Sequence, residues 1–103
     1  MNKRLALLEK MVESGSADSF AHYGLAMEYK KEGRLENAEK SFQALRELDP
    51  AYLPQYLMAA QLLIDQKRTS DAKVWLLEGI SLAQKNGDSK TLGELNDALA
   101  ECE

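Results

Sequence analysis

Little in this chain would cross-link it, break its helices or draw it to a polyanion. Of 103 residues only Cys102 is a cysteine, and only Pro50 and Pro54 are prolines. A single thiol cannot close an internal disulfide, which points to a reducing compartment. So few prolines leave almost continuous helix open to the backbone. Thirteen Lys and Arg are scattered among seventeen Asp and Glu, for a net charge of −4. The clustered positive charge that holds a phosphate backbone or an anionic bilayer is missing. No stretch approaches the roughly 18 apolar residues that a membrane-spanning helix needs. The apolar run Leu5-Ala6-Leu7-Leu8 is cut by Glu9 and Lys10, which disfavours a secretory signal. The expectation is a cytoplasmic protein with neither nucleic acid nor membrane as partner.

Groups for chemistry are equally sparse. His22 is the only histidine, and Cys102 lies far from it in sequence, in a terminal turn, so a Cys-His nucleophile pair is disfavoured. Glu36, Glu39 and Glu47 fit solvated helix faces. Gly24 and Gly79 fall inside helical stretches, where close packing accounts for them. There is no glycine-rich phosphate loop, metal-spaced cluster or nucleophile elbow. The chain reads as no enzyme, with no cofactor and no metal site.

What the chain does have is a repeat. Shifted by 34 residues, His22, Leu25, Ala26, Tyr29, Gly33, Ala38 and Phe42 fall on Tyr56, Ala59, Ala60, Leu63, Lys67, Ala72 and Leu76. Punctuation divides the chain into about six helices. The first covers about residues 2–14 and stops at Ser14-Gly15-Ser16, with Ser16 able to cap the second, which runs to about Glu32. Gly33 turns the chain into a third, from about Leu35 to Leu48, ended by Asp49-Pro50. Pro54 suits the first turn of a fourth, reaching about Gln66. Thr69 is a good cap for a fifth, which closes at Asn86-Gly87. Asp88 or Ser89 opens the sixth. Short links make consecutive helices antiparallel neighbours, so the fold class is all-α, an antiparallel helix-hairpin array.

These residues resemble the tetratricopeptide repeat, whose 34-residue helix-turn-helix unit carries large and small packing residues at set positions. Leu25-Ala26, Tyr29, Gly33, Ala38, Phe42 and Pro50 stand at its marked sites in a first unit. Tyr56, Ala59, Ala60, Leu63, Ala72, Leu76 and Gly79 do so in a second, with Lys67 in place of the turn glycine and Gln84 in place of the closing proline. The resemblance implies a right-handed α-solenoid in a single domain 1–103. Within it, 1–15 is an N-terminal half-repeat helix, 19–52 and 53–86 are whole repeats, and 88–103 is a C-terminal capping helix. Ala26, Ala38, Ala60 and Ala72 let helix axes approach to about 8–10 Å.

The second helix carries two apolar stripes. His22, Leu25, Ala26 and Tyr29 keep the i, i+3, i+4, i+7 spacing of an inward face. Phe20, Tyr23, Gly24 and Met27 form another, and the fourth helix repeats it with Leu57 and Ile64. In the family the first helices of successive units line the concave surface, so the resemblance makes this stripe an apolar groove edged by Lys30, Lys31, Gln61 and Asp65. The candidate contacts are Phe20, Tyr23, Met27, Lys30, Leu57, Gln61 and Ile64. Three fates stay open for them: packing by the terminal helices, a partner's peptide or helical segment, or a homodimer's self-association surface. The favoured expectation is a non-catalytic protein–protein interaction module. A family variant grips a terminal carboxylate with Lys, Asn and Arg on its concave helices, but Tyr23, Met27 and Leu57 occupy much of that surface here, so an apolar or amphipathic segment is the better fit. Trp75 and Val74, off the main packing line of the fifth helix, are expected to be partly buried against helix 3 or 6, or to form a second contact surface.

Overall fold

The computed structural model describes residues 2–103, and all regular structure among them is helical. The six helices are α1 (Lys3–Glu13), α2 (Ser19–Lys31), α3 (Leu35–Leu48), α4 (Pro54–Asp65), α5 (Thr69–Asn86) and α6 (Ser89–Glu101). They fall into two compact units, the first ending at Tyr52 and the second running from Leu53 to Glu103.

In the first unit α1 and α3 both lie against α2. Asn2 caps α1, its side chain accepting from the Leu5 N–H at 3.0 Å. The cap of α2 is Asp18, which accepts from the Ala21 N–H at 2.8 Å, and this corrects the assignment to Ser16. Ser16 instead turns back to donate to the Met11 carbonyl at 3.3 Å, leaving Asp18 as the acceptor next to the orphan N–H groups of the first turn. Leu5 and Leu8 of α1, Leu25, Ala26 and Tyr29 of α2, and Ala38, Phe42 and Leu45 of α3 are buried. His22, expected to face inward with them, is only half-buried. The Tyr29 hydroxyl donates to Glu9 of α1 at 2.5 Å, and the Arg34 guanidinium lies 4.7 Å above the Tyr29 ring centroid. One side chain thus fastens α1 to α2 and carries a cation–π contact at the turn into α3.

In the second unit α5 packs on α4, and α6 lies against both. Pro54 occupies the first turn of α4, where its missing N–H has no intrahelical partner to lose. Thr69 proves to be the first residue of α5 and not its cap. Arg68 holds the cap position without a side-chain bond and pairs instead with Asp71 at 2.9 Å. Asp88 caps α6, accepting from the Thr91 N–H at 3.0 Å and from its hydroxyl at 2.7 Å. Those bonds hold the Asp88 carboxyl below the ordinary aspartate range. Trp75 is fully part of the core, tilted against Tyr56 of α4 with ring centroids 5.9 Å apart, whereas its neighbour Val74 is exposed. Its place is therefore inside its own hairpin, because a ring one position from the expected stripe still reaches the facing helix. Gly79 is forced by the same tyrosine: an added Cβ would stand 2.7 Å from Tyr56 Cβ. Cys102, expected in a loose terminal turn, is buried beyond α6.

Four helices end alike. After α1, α2, α4 and α5 a left-handed residue (Gly15, Gly33, Lys67, Gly87) donates back into the last turn, and the next N–H reaches one residue further back. Arg34 N to Tyr29 O and Arg68 N to Leu63 O are both 2.9 Å. This double bond pattern satisfies helix-end carbonyls that would otherwise be orphaned, and it reverses the chain within a few residues.

Candidate partner-binding faces

Helical register places Phe20, Tyr23, Met27 and Lys30 on one face of α2, spaced three, four and three residues apart. Phe20 is 66% exposed, while Tyr23, Met27 and Lys30 are half-buried. Gly24 does not belong with them, although the sequence grouped it there. It points to α1, where an added Cβ would lie 3.5 Å from the Arg4 guanidinium and 3.6 Å from Leu8 Cδ1.

Tyr23 is held by the unit's own aromatics. Its ring sits edge-on to Phe42 at 6.4 Å and tilted to Tyr52 at 5.4 Å between centroids. Burial, and then Tyr52, push its hydroxyl above the ordinary tyrosine range. Burial first, then the charges of Asp18 and Asp49, do the same for Tyr52. Asp49 also accepts a hydrogen bond from the Ser19 hydroxyl at 2.6 Å, which ties the end of α3 to the start of α2. Tyr52, Asp18 and Asp49 border this face and were not among the residues expected there. Tyr52 and Asp49 lie in the link after α3, where helical periodicity carries no signal, and Asp18 reads from sequence only as turn punctuation.

In the second unit Leu57, Gln61 and Ile64 share one face of α4 at spacings of four and three, and all three are half-buried. They are not needed for the fully buried core, which Tyr56, Ala59, Ala60, Leu62 and Leu63 supply from other faces of the same helix. Among the described residues no group of three His, Cys, Asp or Glu could hold a metal ion, and no helix is long and apolar enough to cross a membrane. What such faces offer is dispersion and hydrophobic contact with a few charges at the edge.

Residues 29–95 match the family model of the tetratricopeptide repeat. The chain belongs to the tetratricopeptide repeat family. Solved structures agree. A tetratricopeptide repeat domain protein from Salinibacter ruber is 36% identical in its solution structure, with a TM-score of 0.78 over 84% of this chain and 87% of that one. The corresponding crystal structure gives 35% identity and 0.76 over 82% and 96%. A Bordetella parapertussis protein shares the fold at 22% identity, with a TM-score of 0.82 over 99% of this chain and 89% of that one. No curated protein matched the sequence. Tetratricopeptide repeats generally mediate protein–protein interactions, as scaffolds without catalysis.

Proposed function

We propose that this tetratricopeptide repeat protein is a non-catalytic interaction module that takes a peptide or helical segment of a partner protein. Each unit offers its own candidate contacts: Phe20, Tyr23, Met27 and Lys30 on α2 of the first, and Leu57, Gln61 and Ile64 on α4 of the second. The repeat frame belongs to the same reading: whole repeats at 19–52 and 53–86, flanked by half units at 1–15 and 88–103. The observation that carries it is Phe20, a phenyl ring two-thirds in water, on the same face as a half-buried tyrosine and methionine. A single exposed apolar residue is ordinary, but one continued along the helix by half-buried apolar side chains at helical spacing is what an apolar or amphipathic segment recognises.

The test is a pull-down from cell extract with wild type and a Phe20→Ala, Leu57→Ser double variant, circular dichroism establishing that both are folded. The expected result is loss of specific partners by the double variant. Identical partner sets would remove these residues from the site. Light scattering over a concentration range separates the homodimer: a dimer that Tyr23→Glu dissociates would assign the face to self-association instead.

A further inference from the structure

The α2 face has a polarity. Asp18 stands at its N-terminal end, with Asp49 beside it through the Ser19 hydroxyl, and Lys30 stands at its C-terminal end, next to Lys31 at the border with the groove beside α1. The acidic neighbours are engaged on the α1 side, in a groove that Lys31 also lines: Glu28 pairs with Arg4 at 3.0 Å and accepts from Asn2 at 3.0 Å, and Glu32 accepts from Asn2 at 3.4 Å. Neither Asp18 nor Lys30 nor Lys31 is in an ion pair among the described residues. The helix dipole offsets each end by about half a charge, which leaves both signs unchanged.

Resting on the reading of α2 as a contact face, we propose that its occupant is an amphipathic helix, acidic in its first turn and basic in its last, docked antiparallel to α2. Two observations select a helix. The spacing of Phe20, Tyr23, Met27 and Lys30 is that of a heptad seam, which a second helix with the same spacing fills side chain by side chain. The distance from Asp18 to Lys30, twelve residues on, is about 18 Å, and a helix of similar length spans both charged ends. Charge selects the direction. Acidic first turns and basic last turns are also what an isolated helix favours for itself, so only the antiparallel arrangement satisfies the partner's own dipole and the α2 face together.

The probes are three end-blocked synthetic peptides of sixteen residues, titrated against the full chain by fluorescence anisotropy. One has leucines at i, i+3 and i+7, glutamates in the first turn and lysines in the last; the second exchanges the glutamates and lysines; the third is the first with two central prolines. The first should bind about tenfold tighter than the second, the sum of several exposed ion pairs turned from repulsive to attractive. A Lys30→Glu, Lys31→Glu variant should remove or reverse that preference. Equal binding of the first two peptides, tighter binding of the second, equal binding of the proline peptide, or no binding by any of them at millimolar concentration overturns the proposal. Phe20→Ala separates this from the reading beneath it. If Phe20→Ala weakens binding but the two charge patterns are equivalent, the polarity falls and the contact face stands. If Phe20→Ala changes nothing, the face itself falls.

Discussion

The α2–α3 and α4–α5 hairpins are copies of one 34-residue unit, and they differ at the matched turn residue and in where each places its helical glycine and its large rings. Both close their first helix with a left-handed residue, at φ 74° for Gly33 and 62° for Lys67. Glycine adopts that conformation freely, whereas lysine carries a Cβ into it. Both contain a helical glycine, yet only one is required. Gly79 admits the Tyr56 ring, while the space at Gly24 is ordinary van der Waals distance from α1. The second hairpin places its largest ring, Trp75, in the core, whereas the first leaves Phe20 mostly in water. A repeat thus preserves backbone geometry more strictly than it preserves which side chains the core consumes.

The largest expected effect is on the first hairpin's central ring. Phe42 is fully buried and touches Tyr23, so Phe42→Ala should cost about 3–5 kcal/mol in urea unfolding. A loss below about 1 kcal/mol would mean that the aromatic cluster of this hairpin contributes little. Next come the overpacking substitutions of the second hairpin. Ala60→Leu, Ala72→Leu and Gly79→Ala should each cost about 1–3 kcal/mol, because Ala60 and Ala72 are fully enclosed and the Gly79 position already touches Tyr56. Gly24→Ala, by contrast, should be neutral or stabilise by up to about 1 kcal/mol. Equal costs at the two glycines would erase the distinction drawn between the hairpins.

Exchanging the turn residues sharpens the comparison further. Lys67→Gly should stabilise by up to about 1 kcal/mol, and Gly33→Lys should destabilise by about the same. Opposite signs in thermal melts would show that the lysine is held there for a reason other than backbone ease. The smallest effects depend on pH. Tyr23, Tyr29 and Tyr52, all in the first unit, have hydroxyls raised above the ordinary value of 10.0, chiefly by burial. Their contribution is therefore complete below pH 10 and is lost as pH rises through the raised values. Asp88 behaves oppositely: its lowered carboxyl stabilises above the ordinary 3.8 and loses that contribution as pH falls through the depressed value. The melting-point difference between wild type and Asp88→Ala should accordingly shrink in acid, and first-unit probes should respond earlier in alkali than those of a Tyr29→Phe variant.

Much of this was readable in advance. The inward positions Leu25, Ala26, Tyr29, Ala38 and Phe42 and their second-unit counterparts Tyr56, Ala59, Ala60, Leu63, Ala72 and Leu76 are buried as their spacing required. Misplacements came where local signals compete. Ser16 and Asp18 are both good caps two residues apart, and only the path out of the Gly15 turn chooses between them. Thr69 and Arg68 differ by one residue, within the span over which helix ends shift. Gly24 sat at the right spacing for the outer stripe, but α1 claims it, and α1 approaches from a direction that periodicity within α2 does not record. Tyr52 escaped because it lies in a link and reaches Tyr23 through space.

Chain alone determined the six helices, the turns at Gly15, Gly33 and Gly87 and the inward alanines, because each is dictated by interactions within a few residues or by a pattern that recurs at fixed spacing. Tertiary structure decided which competing cap was used, that Trp75 is buried and Phe20 is not, and that Tyr23 is braced by Phe42 and Tyr52. Those outcomes depend on which neighbouring helix reaches a given side first, and on the volume it leaves, quantities that exist only once the helices are packed.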